Sequence, residues 1–290
     1  MKRLYRTTFV ILGSVSFILT LGLYLPMSLV ISILPPTGSF PLHTFLASIT
    51  ASIGASLLWI GFSGELGAAA AGAIDLVVFY GGLTIFQLLS AQGGSQRLSA
   101  GVLLCLAAAI VSLGIFLRFR RSPIQDRRPI PLPVRVSFAM FFIVLVLVGS
   151  ALLLRLPNVF AWTLNPVSSA LLGCFFLGSS CYFLYGLLFP RWHTACGQLW
   201  SFLAYDLVLI VPYLSHFATV SPARLTSLIV NTIILVFSAV LAIYYLLIKQ
   251  ETRLTFTRGG RHRRHGLASG AESFELMSIM PVPGRMNDAN

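Results

Sequence analysis

The sequence predicts an all-α bundle of about eight transmembrane helices, and three observations point to that fold. Hydrophobic residues make up 57% of the chain and charged residues 10%, and the mean hydropathy is +0.87. Apolar segments long enough to cross a bilayer recur along the chain, separated by short polar or Pro- and Gly-containing stretches. The Lys and Arg residues cluster between those segments and near the C-terminus, which is typical of a polytopic membrane protein.

The first half, residues 1–118, contains four apolar segments. The first follows a basic start and is too long for a secretory signal peptide, so it is predicted to remain as a membrane-spanning helix. Pro26 marks a kink in this helix or its outer end. The four predicted helices run from about Phe9 to Ile33, Leu42 to Phe62, Ala68 to Ser90 and Ser99 to Leu117.

The second predicted helix carries a stripe of residues at helical spacing, most of them small. Its members are Thr50, Ala51, Gly54, Ala55 and Leu58. Small side chains let two helix backbones approach closely, so this stripe predicts the contact face for a neighbouring helix.

A basic, proline-rich segment separates the two halves. Residues 119–135 contain several arginines and four prolines, which disfavour a continuous helix and predict a stiff linker. The second half, residues 136–248, repeats the pattern of four apolar segments. Its predicted helices run from about Val136 to Leu154, Pro166 to Phe189, Gly197 to His216 and Leu225 to Ile248. Residues 249–290 lose the hydrophobic pattern and are predicted to form a disordered basic tail.

The distribution of positive charge predicts the orientation. Of the 20 Lys and Arg residues, only Arg97, Arg155 and Arg224 fall on the face opposite the termini. The positive-inside rule then places both termini and the linker in the cytoplasm. The outer loops lack a glycosylation acceptor, which favours a bacterial plasma membrane. The basic charge is explained by topology, and nucleic acid is not expected as a partner.

Two sequence echoes suggest that the halves are repeats. Arg6 and Arg135 open similar four-residue starts, and the pattern A-x-D-L-V occurs at 73–77 and at 204–208, on the third helix of each half. Halves of four helices each would be inserted in the same direction and related by an axis along the membrane normal.

The two acids in these pentapeptides, Asp75 and Asp206, are the sharpest candidates for a functional site. Aspartate costs about 2.5–3.5 kcal/mol at the centre of a membrane helix on insertion scales, so its presence needs a reason. Asp75 shares a helix face with small residues and is expected to point into the bundle. Tyr205 and Asn231 are candidate neighbours of Asp206, the latter if the seventh and eighth helices pack together. The alternative is that both acids make structural hydrogen bonds between helices.

Metal, cofactor and soluble-enzyme chemistry find little support. The four cysteines lack metal-binding spacing, and His43 and His216 make too few ligands for zinc. We expect no catalytic residues, no metal and no cofactor. The tail arginines are candidate contacts for lipid headgroups, although a solvated tail that fixes topology is the favoured explanation. They are Arg258, Arg261, Arg263 and Arg264.

Three functions remain open from the sequence. The leading hypothesis is a transporter or permease that binds a small solute or proton at Asp206 and Asp75. The rival is a non-catalytic membrane subunit, scaffold or assembly factor, acting with a membrane partner or as a homo-oligomer. An intramembrane enzyme that uses the two carboxyls is third.

Overall fold

Eight long helices make up the structure, a computed structural model that describes residues 2–25, 40–90, 99–123, 126 and 128–252. Each helix is long and apolar enough to cross a membrane, so the predicted all-α class with eight such helices is confirmed. The helices are α1 (Lys2–Tyr24), α2 (Phe40–Ser63), α3 (Ala69–Ser90), α4 (Ala100–Phe119), α5 (Leu132–Leu153), α6 (Pro166–Leu188), α7 (Trp192–His216) and α8 (Pro222–Ile243).

Two short turns extend these helices. A 3₁₀ turn at Leu66–Ala68 precedes α3, and a π turn at Tyr244–Ile248 continues α8. All eight helices belong to one compact unit, Met1–Thr252. The second unit, Arg253–Asn290, lies outside the described residues, as do Pro26 and the tail arginines.

Two helices begin five or more residues earlier than their hydrophobic pattern predicts. α1 begins at Lys2 rather than Phe9, because long basic side chains can lie along a helix and still reach water. α7 begins at Trp192 rather than Gly197, so residues assigned to a turn form its first turn. Trp192 and His193 are buried against other parts of the protein, and this burial stabilises the early start.

The helices pack as four pairs, each made of two helices that are consecutive in the chain. One helix of each pair is an inner helix, which also contacts the other half. The pairs are α1 with α2, α3 with α4, α5 with α6, and α7 with α8. Contacts between the two halves run from α2 to α7 and from α3 to α6. The inner helices are therefore α2, α3, α6 and α7, and each outer helix packs mainly on one inner helix.

Glycines bring the paired helices into backbone contact at two crossings. A Cβ added at Gly13 of α1 would lie 3.0 Å from the carbonyl oxygen of Gly54 in α2. A Cβ added at Gly149 of α5 would lie 3.0 Å from the carbonyl oxygen of Gly173 in α6. The predicted stripe on α2 is thus confirmed as a contact face, and Thr50 in the same stripe bonds Thr20 of α1 at 2.9 Å.

One end of the bundle, which we call the basic end, carries the starts of α1, α3, α5 and α7 and the ends of the other four helices. The segment between α4 and α5 crosses this end and is tied to its other loops. The backbone N–H of Asp126 donates to Glu65 Oε1 at 2.9 Å, and that of Trp192 donates to the Arg128 carbonyl at 2.8 Å. Arg128 Nη1 also donates to the Glu251 carbonyl at 2.6 Å. The predicted linker is therefore part of the packed body.

Candidate functional site

Asp206 is buried in the contact between α7 and α8. Only 1% of its surface is exposed, and its Oδ2 atom accepts a hydrogen bond from Ser238 Oγ at 2.7 Å. Its other oxygen, Oδ1, is buried and finds no hydrogen-bond partner within the described part of the chain. Asp206 therefore joins two helices of the same half.

The two predicted neighbours of Asp206 are not the hydrogen-bond partners of its carboxylate among the described residues. α7 and α8 do pack side by side, but Ser238, two turns beyond Asn231, supplies the hydroxyl that Asp206 accepts from. The Tyr205 ring packs edge-on against Phe45 of α2, with centroids 5.8 Å apart. The structure thus brings Asp206 together with neither Tyr205 nor Asn231 in a hydrogen bond.

Asp75 lies in a different contact, between α3 and α6. Its carboxylate packs on Gly178, and a Cβ at that position would overlap Asp75 Oδ1. Farther along the same face, Gly82 packs on Cys174 of α6. The expected inward direction of the Asp75 face is therefore confirmed. No side chain among the described residues donates a hydrogen bond to the Asp75 carboxylate.

A group of neutral polar side chains lies next to Asp75, where α2, α6 and α7 meet. The Tyr182 hydroxyl lies 3.3 Å from Ser56 Oγ and 3.5 Å from Ser201 Oγ. Tyr182 is one turn beyond Gly178 on α6, so it shares the face on which Asp75 packs. Together with Asp75, these neutral side chains form what we call the inner polar cluster. Its members are Asp75, Ser56, Tyr182, Gln198 and Ser201.

Hydrogen bonds to the backbone hold the inner polar cluster in place. Ser201 Oγ donates to the Ser52 carbonyl at 3.1 Å, and Gln198 Nε2 donates to the Tyr182 carbonyl. Gln198 is fully buried against Gly186, and its Oε1 atom has no hydrogen-bond partner in the part of the chain described. All four inner helices contribute to the cluster, which lies six to nine residues, or about 9–14 Å, inside the basic end.

The sequence carries only a weak signal for this cluster. Serine and tyrosine are common in apolar helices, and the serines here look like small packing residues. Gln198 is the exception, since a glutamine amide inside an apolar segment must find partners. Because α7 begins at Trp192, and not at Gly197 as the hydrophobic pattern predicts, Gln198 lies beyond the first turn of that helix.

The basic end holds a further acid outside the membrane-spanning segments. Arg128 makes an ion pair with Asp126, with Nη2 to Oδ2 at 2.6 Å. Partial burial raises the pKa of the Asp126 carboxyl, but hydrogen bonds from Arg128 and its positive charge outweigh that effect and lower the pKa below its usual range. This pair stabilises the segment that covers the basic end.

The predicted histidine pair lies at the opposite end of the bundle. His43 is buried near the start of α2, and His216 at the end of α7 stacks on Trp162 with centroids 5.1 Å apart. Over the described residues, no three His, Cys, Asp or Glu side chains come together as metal ligands would.

Compared with known proteins, the chain matches no family model, no curated protein and no solved structure. The class that the fold defines is therefore a bundle of eight helices compatible with a multi-pass membrane protein. Any finer function has to be argued from the geometry of its own residues.

Proposed function

We propose that the chain is a multi-pass plasma-membrane protein whose two halves are structural repeats of four helices. The basic end would face the cytoplasm, as the positive-inside rule requires of the side that holds most Lys and Arg residues. Each helix contact in one half has a counterpart in the other. Exchanging α1–α4 with α5–α8 maps the α2–α7 contact onto the α6–α3 contact.

The glycine crossings support the same repeat. Gly13 packs on Gly54 and on Leu58 one turn later, and Gly149 packs in the same way on Gly173 and Leu177. Both pairs lie between the first and second helices of a half. Both halves begin at the basic end. Two halves related in this way have the arrangement found in parallel-repeat transporters.

Within this frame the chain acts as a permease for a proton or a small polar solute, with Asp75 as the binding carboxylate. The observation that carries this proposal is the inner polar cluster, to which all four inner helices contribute at the contact between the halves. In repeat-built transporters that contact holds the substrate site. Gln198 Oε1 is a buried acceptor that a polar solute would satisfy.

Asp206 has a supporting role in this proposal. It binds Ser238 within one half and away from the contact between halves, so it fastens α8 to α7. The second candidate function, a non-catalytic membrane subunit or scaffold, is favoured by this hydrogen-bonded contact between two helices of one half. Under that reading, Asp75 too would serve only to join helices.

Proton flux into proteoliposomes distinguishes the two functions. The vesicles enclose a pH-sensitive dye, and a potassium gradient with valinomycin drives protons inward. We expect wild-type protein to acidify the lumen faster than protein-free vesicles do, and Asp75→Asn to reduce the rate to the protein-free level. Asp206→Asn is the matched control, because the same charge is removed from the contact that the proposal treats as structural.

Two results would contradict the permease proposal. One is an Asp75→Asn variant that conducts protons as the wild type does. The other is a wild type no faster than protein-free vesicles, together with an Asp75→Asn variant that loses only thermal stability. The second result would favour the scaffold function.

A further inference from the structure

A pocket of about 180 Å³ opens at the end of the bundle opposite the basic end. It lies between the loop that follows α5 and the first turns of α6 and α8. Two arginines, Arg155 and Arg224, line it together with the neutral polar side chains of Asn158 and Ser169. Trp162 and several apolar residues complete the wall.

The backbone holds Arg155 at the pocket in a costly conformation. Arg155 has a φ of 54°, in the left-handed region that favours glycine at the end of a helix. The helix end is closed by hydrogen bonds from the Arg155 and Leu156 N–H groups to the carbonyls of Leu152 and Ala151, at 3.1 and 3.0 Å. A residue other than glycine in this conformation costs stability, so the contacts around the loop have to hold the backbone at Arg155.

Side chains from two other helices fix the rest of the loop. Ser169 Oγ of α6 donates to the Leu152 carbonyl at 2.7 Å. Ser227 Oγ of α8 donates to the Asn158 carbonyl at 2.5 Å. The pocket is therefore a built feature in which three helices hold the loop and its arginine.

Among the residues that the structure describes, no carboxylate makes an ion pair with either of these two arginines. The sequence has no Asp or Glu in residues 25–41, 91–99, 154–165 or 217–221, which connect the helices at this end. The nearest acid along α7 is Asp206, ten residues inside the helix end at His216 and thus about 15 Å deep. A bound anion would supply the counter-charge that the described residues do not supply to this pair.

We propose that this pocket binds a phosphate group. Guanidinium groups bind phosphate oxygens through paired, charge-assisted hydrogen bonds, and the pocket volume accommodates one tetrahedral anion with its ester substituent. Large apolar side chains are exposed beside it, among them Leu154 (72%), Leu156 (53%) and Val167 (52%). They supply a surface for acyl chains, so the phosphate belongs either to a phospholipid headgroup or to a free phosphate ion.

Native mass spectrometry of the full chain in detergent tests the lipid source. The probes are phosphatidylglycerol and a diacylglycerol with the same acyl chains and no phosphate. We expect the wild type to retain phosphatidylglycerol, and Arg155→Gln and Arg224→Gln each to weaken binding about tenfold, the loss of one charged hydrogen-bond partner. Arg135→Gln is the matched control, since Arg135 is an exposed arginine at the other end of α5.

Titration with inorganic phosphate, followed by calorimetry, tests the free ion. Binding of phosphate alone with the same sensitivity to Arg155→Gln and Arg224→Gln identifies a soluble anion, whereas binding of phosphatidylglycerol alone identifies a headgroup. The thermal midpoint without ligand verifies that each variant is folded. Where a glutamine variant is unstable, Arg155→Lys or Arg224→Lys replaces it. Lysine keeps the positive charge but lacks the planar guanidinium group, so we expect binding between that of the wild type and that of a glutamine variant.

The proposal is overturned by any of three results. The first is equal binding of phosphatidylglycerol and diacylglycerol, which would indicate an apolar groove only. The second is a loss in Arg135→Gln as large as that in the pocket variants, which would indicate unspecific charge attraction. The third is that neither phosphatidylglycerol nor inorganic phosphate binds the wild-type protein.

Discussion

Asp75 and Asp206 are each embedded in the same pentapeptide pattern, yet the structure places them in different kinds of contact. Asp206 is fully buried inside one half and accepts a hydrogen bond from Ser238. Asp75 packs on Gly178 across the contact between the halves, beside the inner polar cluster. Identical local sequence therefore predicted that both acids lie in the bundle, but not what each acid faces.

This difference between the two acids indicates that the pentapeptides are not the feature that supports the proposed repeat. If Gly13 corresponds to Gly149, then Arg6 corresponds to Phe142 and not to Arg135. The repeat that we propose rests on the helix contacts and the glycine crossings. The similar pentapeptides are not equivalent in their contacts, because one faces the other half and the other faces α8.

The largest effect is expected from filling the space that Asp75 occupies. In Gly178→Ala the new Cβ would lie 2.7 Å from the backbone oxygen of Asp75 and would overlap its carboxylate. A backbone atom cannot rotate away, so α3 and α6 must separate, and we expect a loss of about 2–3 kcal/mol in the free energy of unfolding. Equilibrium unfolding in mixed micelles measures this change.

Gly72→Ala on α3 is the control for that experiment. Nothing lies within 4 Å of a Cβ at Gly72, so only helix propensity changes, and stability should rise by up to about 1 kcal/mol. Equal effects of the two alanines would show that Asp75 does not pack on α6 as described.

A smaller effect is expected from the bond between Asp206 and Ser238. A double-mutant cycle with Asp206→Leu and Ser238→Ala should give a coupling free energy of about 1 kcal/mol, within the range of hydrogen bonds between membrane helices. The measurement is again unfolding in mixed micelles.

The same serine variant combined with Asp75→Leu provides the matched cycle. Asp75 lies in another helix contact, so those two changes should add without coupling. If the Asp206 cycle is also additive, then the Asp206 hydrogen bond does not fasten α8 to α7.

The smallest effect concerns Asp126, an acid with its own positive partner and partly exposed to water. Because Arg128 lowers the folded-state pKa of Asp126, the pair contributes stability above the unfolded-state pKa, about 3.9. That contribution is lost as the pH falls below about 4 through the lower folded-state pKa. At pH 7 we expect Asp126→Asn to cost less than about 1 kcal/mol, since solvent screens the pair.

Thermal midpoints of wild type and Asp126→Asn between pH 7 and pH 3 measure this dependence. The difference between them should shrink as the pH falls. In an Arg128→Gln background the difference should be small throughout this range. A difference that grows toward low pH would contradict the sign of the pKa shift.

Several features of the fold could be predicted from the residues alone. Apolar length fixed the number of helices, because each must satisfy its backbone hydrogen bonds within the bilayer. Small residues on α2 predicted a close contact, which Gly13 of α1 makes. The start of α7 was missed, because Trp192 and His193 at a polar turn carry no hydrophobic periodicity and are helical through their burial.

By itself, the sequence determined the helical class, the number of helices long and apolar enough to cross a membrane, and the inward direction of the Asp75 face. These depend on hydropathy and on the 3.6-residue period, which are local properties. Only the tertiary structure decided that Ser238 meets Asp206, that Gly178 receives Asp75, and that Arg155 and Arg224 share a pocket. Those pairings join segments that are distant in the sequence. Helices in a bilayer associate through steric fit and hydrogen bonding between two segments, so the sequence of one segment alone does not determine its partner.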